Sequence, residues 1–426
     1  MHVEHDYPDL YWPFGQHILT GLKLVKAHKN MYPIYITNHG CGPDTAIQHF
    51  FQNEMQGREY LHLEVDEHTS KVGVITRLEA FLYSLQSQEA VGADKLRYGS
   101  GGCAGCTSCA DNGKQIDLTH FDSVLVPDYG VYSDVIEKYA RKELGNTSAM
   151  PEIVRVQPLK EHRTFDYAMN KEYYSMLIML EELRCTVKKG VRYVMVAPID
   201  EGSEVFGQYA LLCTQELTRL GYDVTLRPFY LEDIIRREDH QAVYADLLEA
   251  EAAQCRQQAS GGRRFFVMGE PMCIIKPYIL QRNLKTVGED AVVLMPLSEM
   301  LLFHMLEIDR KQEIRRQLQT WQALHDAAMN TPEGKLLYSA MDALRGAAAG
   351  KLDFCVGDSG KYRFAKLACL SKDDFSAAIL LNSAEENTAI ILKQLLEAYR
   401  KELPVPFVQI DLDYEHVAAK EDLELI

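Results

Sequence analysis

Several things are missing from this 426-residue chain, and each absence excludes a class of protein. No apolar stretch approaches the roughly 20 residues that span a bilayer. The first residues, Met1-His-Val-Glu-His-Asp6, lack a basic segment followed by an apolar one, so no secretory leader is expected and the cytoplasm is the expected location. Excess positive charge is missing too. Lys and Arg number 45 against 61 Asp and Glu, a net charge of −16, which repels nucleic acid and anionic membrane. No G-x-x-x-x-G-K-[ST] loop is present, and Gly357-Asp-Ser-Gly-Lys361 is too short to replace it. Gly99-Ser-Gly-Gly102 lacks the strand and helix of a dinucleotide site. Apart from short alanine runs such as Ala347-Ala-Ala349, low-complexity sequence is absent.

What is present is an unusual use of cysteine. The chain has 10 cysteines, and three fall in Cys103-Ala-Gly-Cys106-Thr-Ser-Cys109 behind a glycine-rich segment. In a long chain without a leader, thiols are expected reduced, so clustering points to metal or redox chemistry rather than disulfides. Two-residue spacing turns each thiol inward, the arrangement that holds iron–sulfur clusters in bacterial ferredoxins. In that run a fourth cysteine would stand at position 113, which is Gly113 here, followed by Lys114. A fourth ligand must come from elsewhere or be absent, and an iron without a protein thiolate can bind substrate. Zinc also accepts thiolates, so a structural zinc and a loop of redox-active thiols stay open beside the cluster.

Cys41 is the fourth candidate. It sits in Asn38-His-Gly-Cys41-Gly-Pro-Asp44, a turn that opens a predicted helix. The free N–H groups of a helix start favour thiolate, and the flanking glycines let backbone approach closely. His39 can donate to a cluster sulfur, or serve as an ordinary loop residue. Cys273 and Cys355 follow apolar segments at predicted strand ends, where ligands gather in α/β sheets, and are secondary metal candidates. Glu64-Val-Asp66-Glu67-His68 can bind metal, relay protons or orient Arg77, against a solvated strand end with a structural ion pair. Cys185, Cys213, Cys255 and Cys369 read as core residues.

Short apolar runs bounded by helical patterns recur along the chain. Strands are predicted at 32–37, 60–65, 123–127, 153–156, 192–197, 223–227, 264–268, 291–295, 377–381 and 405–410. Strands alternating with helices predict repeated flavodoxin-like or Rossmann-like parallel-sheet domains of the α/β class. The first and last units look alike: Asp44-Thr-Ala-Ile47 matches Asn387-Thr-Ala-Ile390, and each leads to a strand ending in carboxylates. Two domains are expected, 1–186 carrying Cys41 and the Cys103–Cys109 loop, and 187–426 with a long helical insertion at about 297–350.

Trp12-Pro-Phe-Gly15, Tyr32-Pro-Ile-Tyr-Ile-Thr-Asn-His-Gly-Cys-Gly-Pro-Asp44, Glu64-Val-Asp-Glu-His68 and Gly73-Val-Ile-Thr-Arg-Leu-Glu-Ala-Phe81 together resemble one family. It is the C-terminal, cluster-bearing, dehydratase-like part of the large activase-like proteins of the 2-hydroxyacyl-CoA dehydratase and benzoyl-CoA reductase superfamily. Phe206-Gly-Gln-Tyr209 and Glu216-Leu-Thr-Arg-Leu-Gly-Tyr222 extend the likeness. The resemblance implies an iron–sulfur component that receives low-potential electrons from an ATP-hydrolysing activase of actin-like fold. It implies a [4Fe–4S] or double-cubane cluster between α/β domains, and an acyl-CoA substrate. Cys41 lies in the family motif; Cys103, Cys106 and Cys109 rest on their spacing. The actin-like module with its Asp-x-Gly-[ST] loops is not found, which implies a separate subunit or a fragment. Three readings follow: a lyase or reductase component acting on acyl-CoA, an electron-transfer subunit that binds no CoA, and a zinc-stapled interaction protein. A dimer is one assembly compatible with each.

Overall fold

The computed structural model describes residues 12–28, 30–38, 43–55, 58–65, 69–91, 118–144, 151–160, 174–199, 205–230, 234–258, 262–284, 290–307, 314–349, 358–383 and 387–412. The chain divides into two compact units, Met1–Lys114 and Gln115–Ile426. No helix among the described residues is long and apolar enough to cross a membrane.

In the first unit, helix α1 (Pro13–Lys26) precedes strand β1 (Ile34–Thr37), helix α2 (Pro43–Glu54), strand β2 (Leu61–Glu64) and helix α3 (Lys71–Val91). β1 and β2 pair in parallel, with Ile34 opposite Leu61 and Thr37 opposite Glu64. Alternation decides which face is covered: Tyr35 and Thr37 are buried, whereas Ile34 and Ile36 point outward. Tyr35 stacks on Phe51 of α2 at 4.5 Å between ring centroids. Arg58 fastens the end of α1 and the turn beyond it by donating to the carbonyls of Lys26, His28 and Met31.

The second unit holds two four-stranded parallel sheets. The first runs through β3 (Ser123–Val126), α4 (Ser133–Glu143), β4 (Glu152–Arg155), α5 (Tyr174–Thr186), β5 (Arg192–Ile199), α6 (Tyr209–Arg219) and β6 (Asp223–Tyr230). Helix α7 (His240–Gln258) leads to the second: β7 (Arg264–Gly269), α8 (Pro271–Ile275), α9 (Pro277–Asn283) and β8 (Ala291–Leu294). The expected helical insertion follows as α10 (Leu297–Glu307), α11 (Arg315–Met329), α12 (Gly334–Leu337) and α13 (Met341–Ala348). Then come α14 (Asp358–Cys369), β9 (Ala377–Ser383), α15 (Asn387–Tyr399) and β10 (Phe407–Leu412).

The sheet orders are β4-β3-β5-β6 and β8-β7-β9-β10. Counted within each sheet, both read 2-1-3-4, the order that begins a flavodoxin-like sheet. The fold is therefore the repeated parallel α/β arrangement expected. Central strands of such sheets are covered on both faces, and all seven residues of β9 are buried. The domain boundary read near residue 186 falls inside unit 2, between α5 and β5. Across it, β3 pairs with β5 from Ser123 opposite Tyr193 to Leu125 opposite Met195, so one sheet spans both sides. Trp321 anchors the insertion to α7: its ring stacks on Tyr244 at 4.4 Å and its indole N–H donates to His240 Nδ1 at 3.0 Å.

Candidate functional site

Cys41, Cys103, Cys106, Cys109 and Cys355 lie outside the described residues, and so do Asp66, Glu67 and His68. Cys273 is described and fully buried in α8, directly after β7. Among the described residues, no group of three or more His, Cys, Asp and Glu side chains converges to hold a metal ion. Of the cysteines read as core residues, Cys213 and Cys255 are buried, and burial lifts the Cys255 thiol to about 11, far from thiolate reactivity.

The carboxyl ends of the two sheets in unit 2 meet, and the loop after the first strand of each carries a buried carboxylate. After β3, Asp128 accepts from the Gly130 N–H at 3.3 Å and the Ser133 hydroxyl at 3.2 Å. After β7, Glu270 caps the short helix α8 by accepting from the N–H groups of Met272 at 3.2 Å and Cys273 at 2.9 Å. Two glycines bring backbone into contact here. Gly130, at φ 56°, sits where a Cβ would fall 2.3 Å from the Ile275 carbonyl oxygen. Gly269, at φ 152°, sits where one would fall 1.8 Å from that of Leu381. Both positions demand glycine.

A buried lysine joins the two loops. Lys276 Nζ donates to the Asp128 carbonyl at 2.5 Å and to Glu182 Oε2 at 2.5 Å, with both side chains fully buried. Burial raises the Glu182 carboxyl above its usual range, and the Lys276 ammonium opposes that rise. The Tyr174 N–H on α5 also donates to Ser383 Oγ at the end of β9, at 3.0 Å.

Beside this clasp lies a cavity of about 150 Å³. The first sheet and its helices contribute Tyr132, Ile136, Tyr139, Pro198, Tyr209 and Ala210. The second half contributes Pro271, Met272 and Ile275 from α8, and Leu297, Met300 and Leu301 from α10. No Asp, Glu, Lys or Arg is among the described residues that line it. A cavity at the carboxyl ends of parallel strands, where strand order reverses, is the usual ligand position of open α/β folds.

No family model, curated protein or solved structure matches this chain. The site is thus read from its own residues.

Under the cavity are two polar networks that the sequence reading missed. Glu251 accepts from Tyr132 Oη at 2.8 Å, the Ser298 N–H at 2.8 Å, Ser298 Oγ at 2.5 Å and Tyr338 Oη at 2.9 Å. Burial raises its carboxyl despite these donors. Glu299 meets Lys366 at 2.7 Å, Tyr362 Oη at 2.7 Å and His325 Nε2 at 3.1 Å. Burial acts to raise Glu299 as well, but the Lys366 ammonium and His325 outweigh it and hold the carboxyl below its usual range. Both networks fix α7, α10 and α14 around the cavity. The signal that could have found Glu299 and the clasp is charge set in an apolar run. Glu299 sits in Leu297-Ser-Glu-Met-Leu-Leu-Phe303, Glu182 in the buried stretch of α5, and Lys276 after Met272-Cys-Ile-Ile275.

Proposed function

We propose that this chain is the iron–sulfur component of an acyl-CoA dehydratase- or reductase-type system, receiving low-potential electrons from an ATP-dependent, actin-like activase. One structural observation carries the reading. Two parallel sheets of the same order turn their carboxyl ends toward one apolar cavity, the place where α/β folds bind small molecules. The family motifs around Cys41 supply the chemistry.

The donor set fits the group. Four thiols at Cys41, Cys103, Cys106 and Cys109 suit soft iron, with Cys273 and Cys355 as secondary candidates. The cluster would be of the [4Fe–4S] or double-cubane type, and when bound it supplies single electrons at low potential. The chain's own part in unit 2 is to exclude water from the cavity and to hold its two walls in register through Lys276, Glu182 and Asp128. A cytoplasmic location belongs to the same proposal.

Anaerobic purification tests it. Iron and sulfide in stoichiometric amounts, with an electron paramagnetic resonance signal on reduction, are expected. A colourless protein with stoichiometric zinc and no sulfide would overturn the reading in favour of a zinc-stapled interaction protein. Calorimetry with CoA then divides what remains: heat of binding supports the acyl-CoA enzyme, and none leaves an electron-transfer subunit.

A further inference from the structure

We propose that the cavity of unit 2 binds an uncharged apolar group about the size of toluene. The proposal deepens the acyl-CoA reading, and rests on it only for what the group is attached to. It names an aromatic or branched hydrocarbon acyl group, as opposed to one ending in a carboxylate. Binding in the cavity itself needs neither CoA nor iron.

Volume comes first. At about 150 Å³ the cavity has the size at which an apolar void stays dry and takes up benzene. Wall chemistry comes second, because most of the hydroxyls along the walls are already committed. Tyr132 Oη donates to Glu251 and accepts from the Leu297 N–H at 3.2 Å. Ser298 Oγ donates to Glu251 at 2.5 Å, Tyr139 Oη accepts from Arg237 at 3.3 Å, and Ser359 Oγ accepts from Arg363 at 2.9 Å. What faces the void is mostly carbon. A carboxylate placed inside would lose its water and meet no Lys or Arg side chain among the described lining residues.

Access and adaptability come third. Val135, Ile136, Leu247 and Met300 line the cavity and are only half-buried, so they form its solvent side. A longer, polar remainder of a ligand can stay outside past them. Met179, Met272 and Met300 give walls that adjust to a ring or to a branched chain.

The test uses the full chain with toluene and benzoate, two probes of similar shape and different charge. Saturation-transfer NMR and a rise in melting temperature should report toluene binding, with benzoate weaker by about tenfold or more. Ala210→Phe places a ring in the void and should weaken toluene binding by about tenfold or more without lowering the melting temperature. If Ala210→Phe does not fold, Met300→Trp closes the cavity from its half-buried side with the same expected loss. The proposal is overturned if toluene does not bind, if it binds equally after filling, or if benzoate binds as tightly.

A CoA thioester ending in a phenyl group separates this proposal from the one it rests on. Toluene binding without any thioester binding keeps the cavity site and removes the acyl-CoA reading. Thioester binding that toluene cannot displace, and that Ala210→Phe leaves intact, removes the cavity site and keeps the acyl-CoA reading.

Discussion

Replacing Lys276 by methionine is the sharpest probe of how the two halves of unit 2 are joined. The change keeps the stem and removes the ammonium that lies 2.5 Å from Glu182 Oε2 and 2.5 Å from the Asp128 carbonyl. Both partners of the ion pair are fully buried, so the stranded carboxylate has no water to turn to. Breaking such a pair from one side costs about 3–5 kcal/mol. With a urea dependence near 3 kcal/mol per molar, the unfolding midpoint should fall by about 1 M or more. The chain has 2 tryptophans, Trp12 in unit 1 and Trp321 in unit 2, so a Trp12→Phe background lets Trp321 fluorescence report unit 2 alone. The pH dependence carries a sign. The folded-state carboxyl of Glu182 is already raised by burial, and losing Lys276 raises it further. The folded state then binds more protons than the unfolded one. Its stability is present below the ordinary carboxylate range and is lost as pH climbs through the raised value. The deficit of Lys276→Met should therefore be smaller at mildly acidic pH than at neutral pH. Adding Glu182→Gln should restore about 2 kcal/mol. A deficit under about 1 kcal/mol, one that ignores pH, or a double variant less stable than Lys276→Met alone would mean that the buried pair does not join the two halves.

Other expectations follow from single positions. Gly269→Ala should cost about 3 kcal/mol or more, or abolish soluble expression, because its Cβ would fall 1.8 Å from the Leu381 carbonyl oxygen at φ 152°; thermal unfolding decides. Gly346→Ala on the exposed face of α13, with nothing within 4 Å of the new methyl, should instead stabilise by about 0.5–1 kcal/mol. Glu251→Gln should destabilise unit 2 by about 2 kcal/mol. Because burial raises the Glu251 carboxyl, wild-type stability falls as pH rises through that raised value, and the variant's profile should be flatter there in denaturation series at several pH values. Cys106→Ser, purified anaerobically, should carry less than about half the iron of the wild-type protein by metal analysis.

Strand positions were legible because parallel strands are covered on both faces and read as unbroken apolar runs. Ala377-Ala-Ile-Leu-Leu381 and Arg192-Tyr-Val-Met-Val-Ala197 fall within β9 and β5, and each predicted strand overlaps one that is observed. Strand order was not legible. It depends on which strand becomes central, and that is decided by packing between residues far apart in the chain. The likeness of the first and last units is real at the level of a parallel strand–helix–strand: β1-α2-β2 and β9-α15-β10 both have it. Yet β1 and β2 make a two-stranded sheet, whereas β9 and β10 complete a four-stranded one. The boundary expected at 186/187 lies in the turn from α5 into β5, which returns to β3. The pairing within the clasp leaves no trace in the sequence for a related reason. Lys276 and Glu182 lie 94 residues apart, and no periodicity links them. The cysteine pattern, the most distinctive part of the sequence, falls outside the described residues except for Cys273.

The order in which the cavity's walls are synthesised has a consequence during translation. The first sheet of unit 2 is complete by Tyr230, and its strands can pair as soon as they leave the ribosome. Its oily helix faces at Ile136, Tyr139 and Ala210 are only partly covered, by residues such as Val243 and Leu247, until residues 271–301 emerge about 40–70 residues later, a wait of several seconds at ordinary elongation rates. A nascent chain arrested in that interval presents a sticky half-pocket. Chaperone capture and aggregation of truncated chains should therefore peak in this window and subside once Lys276 can find Glu182.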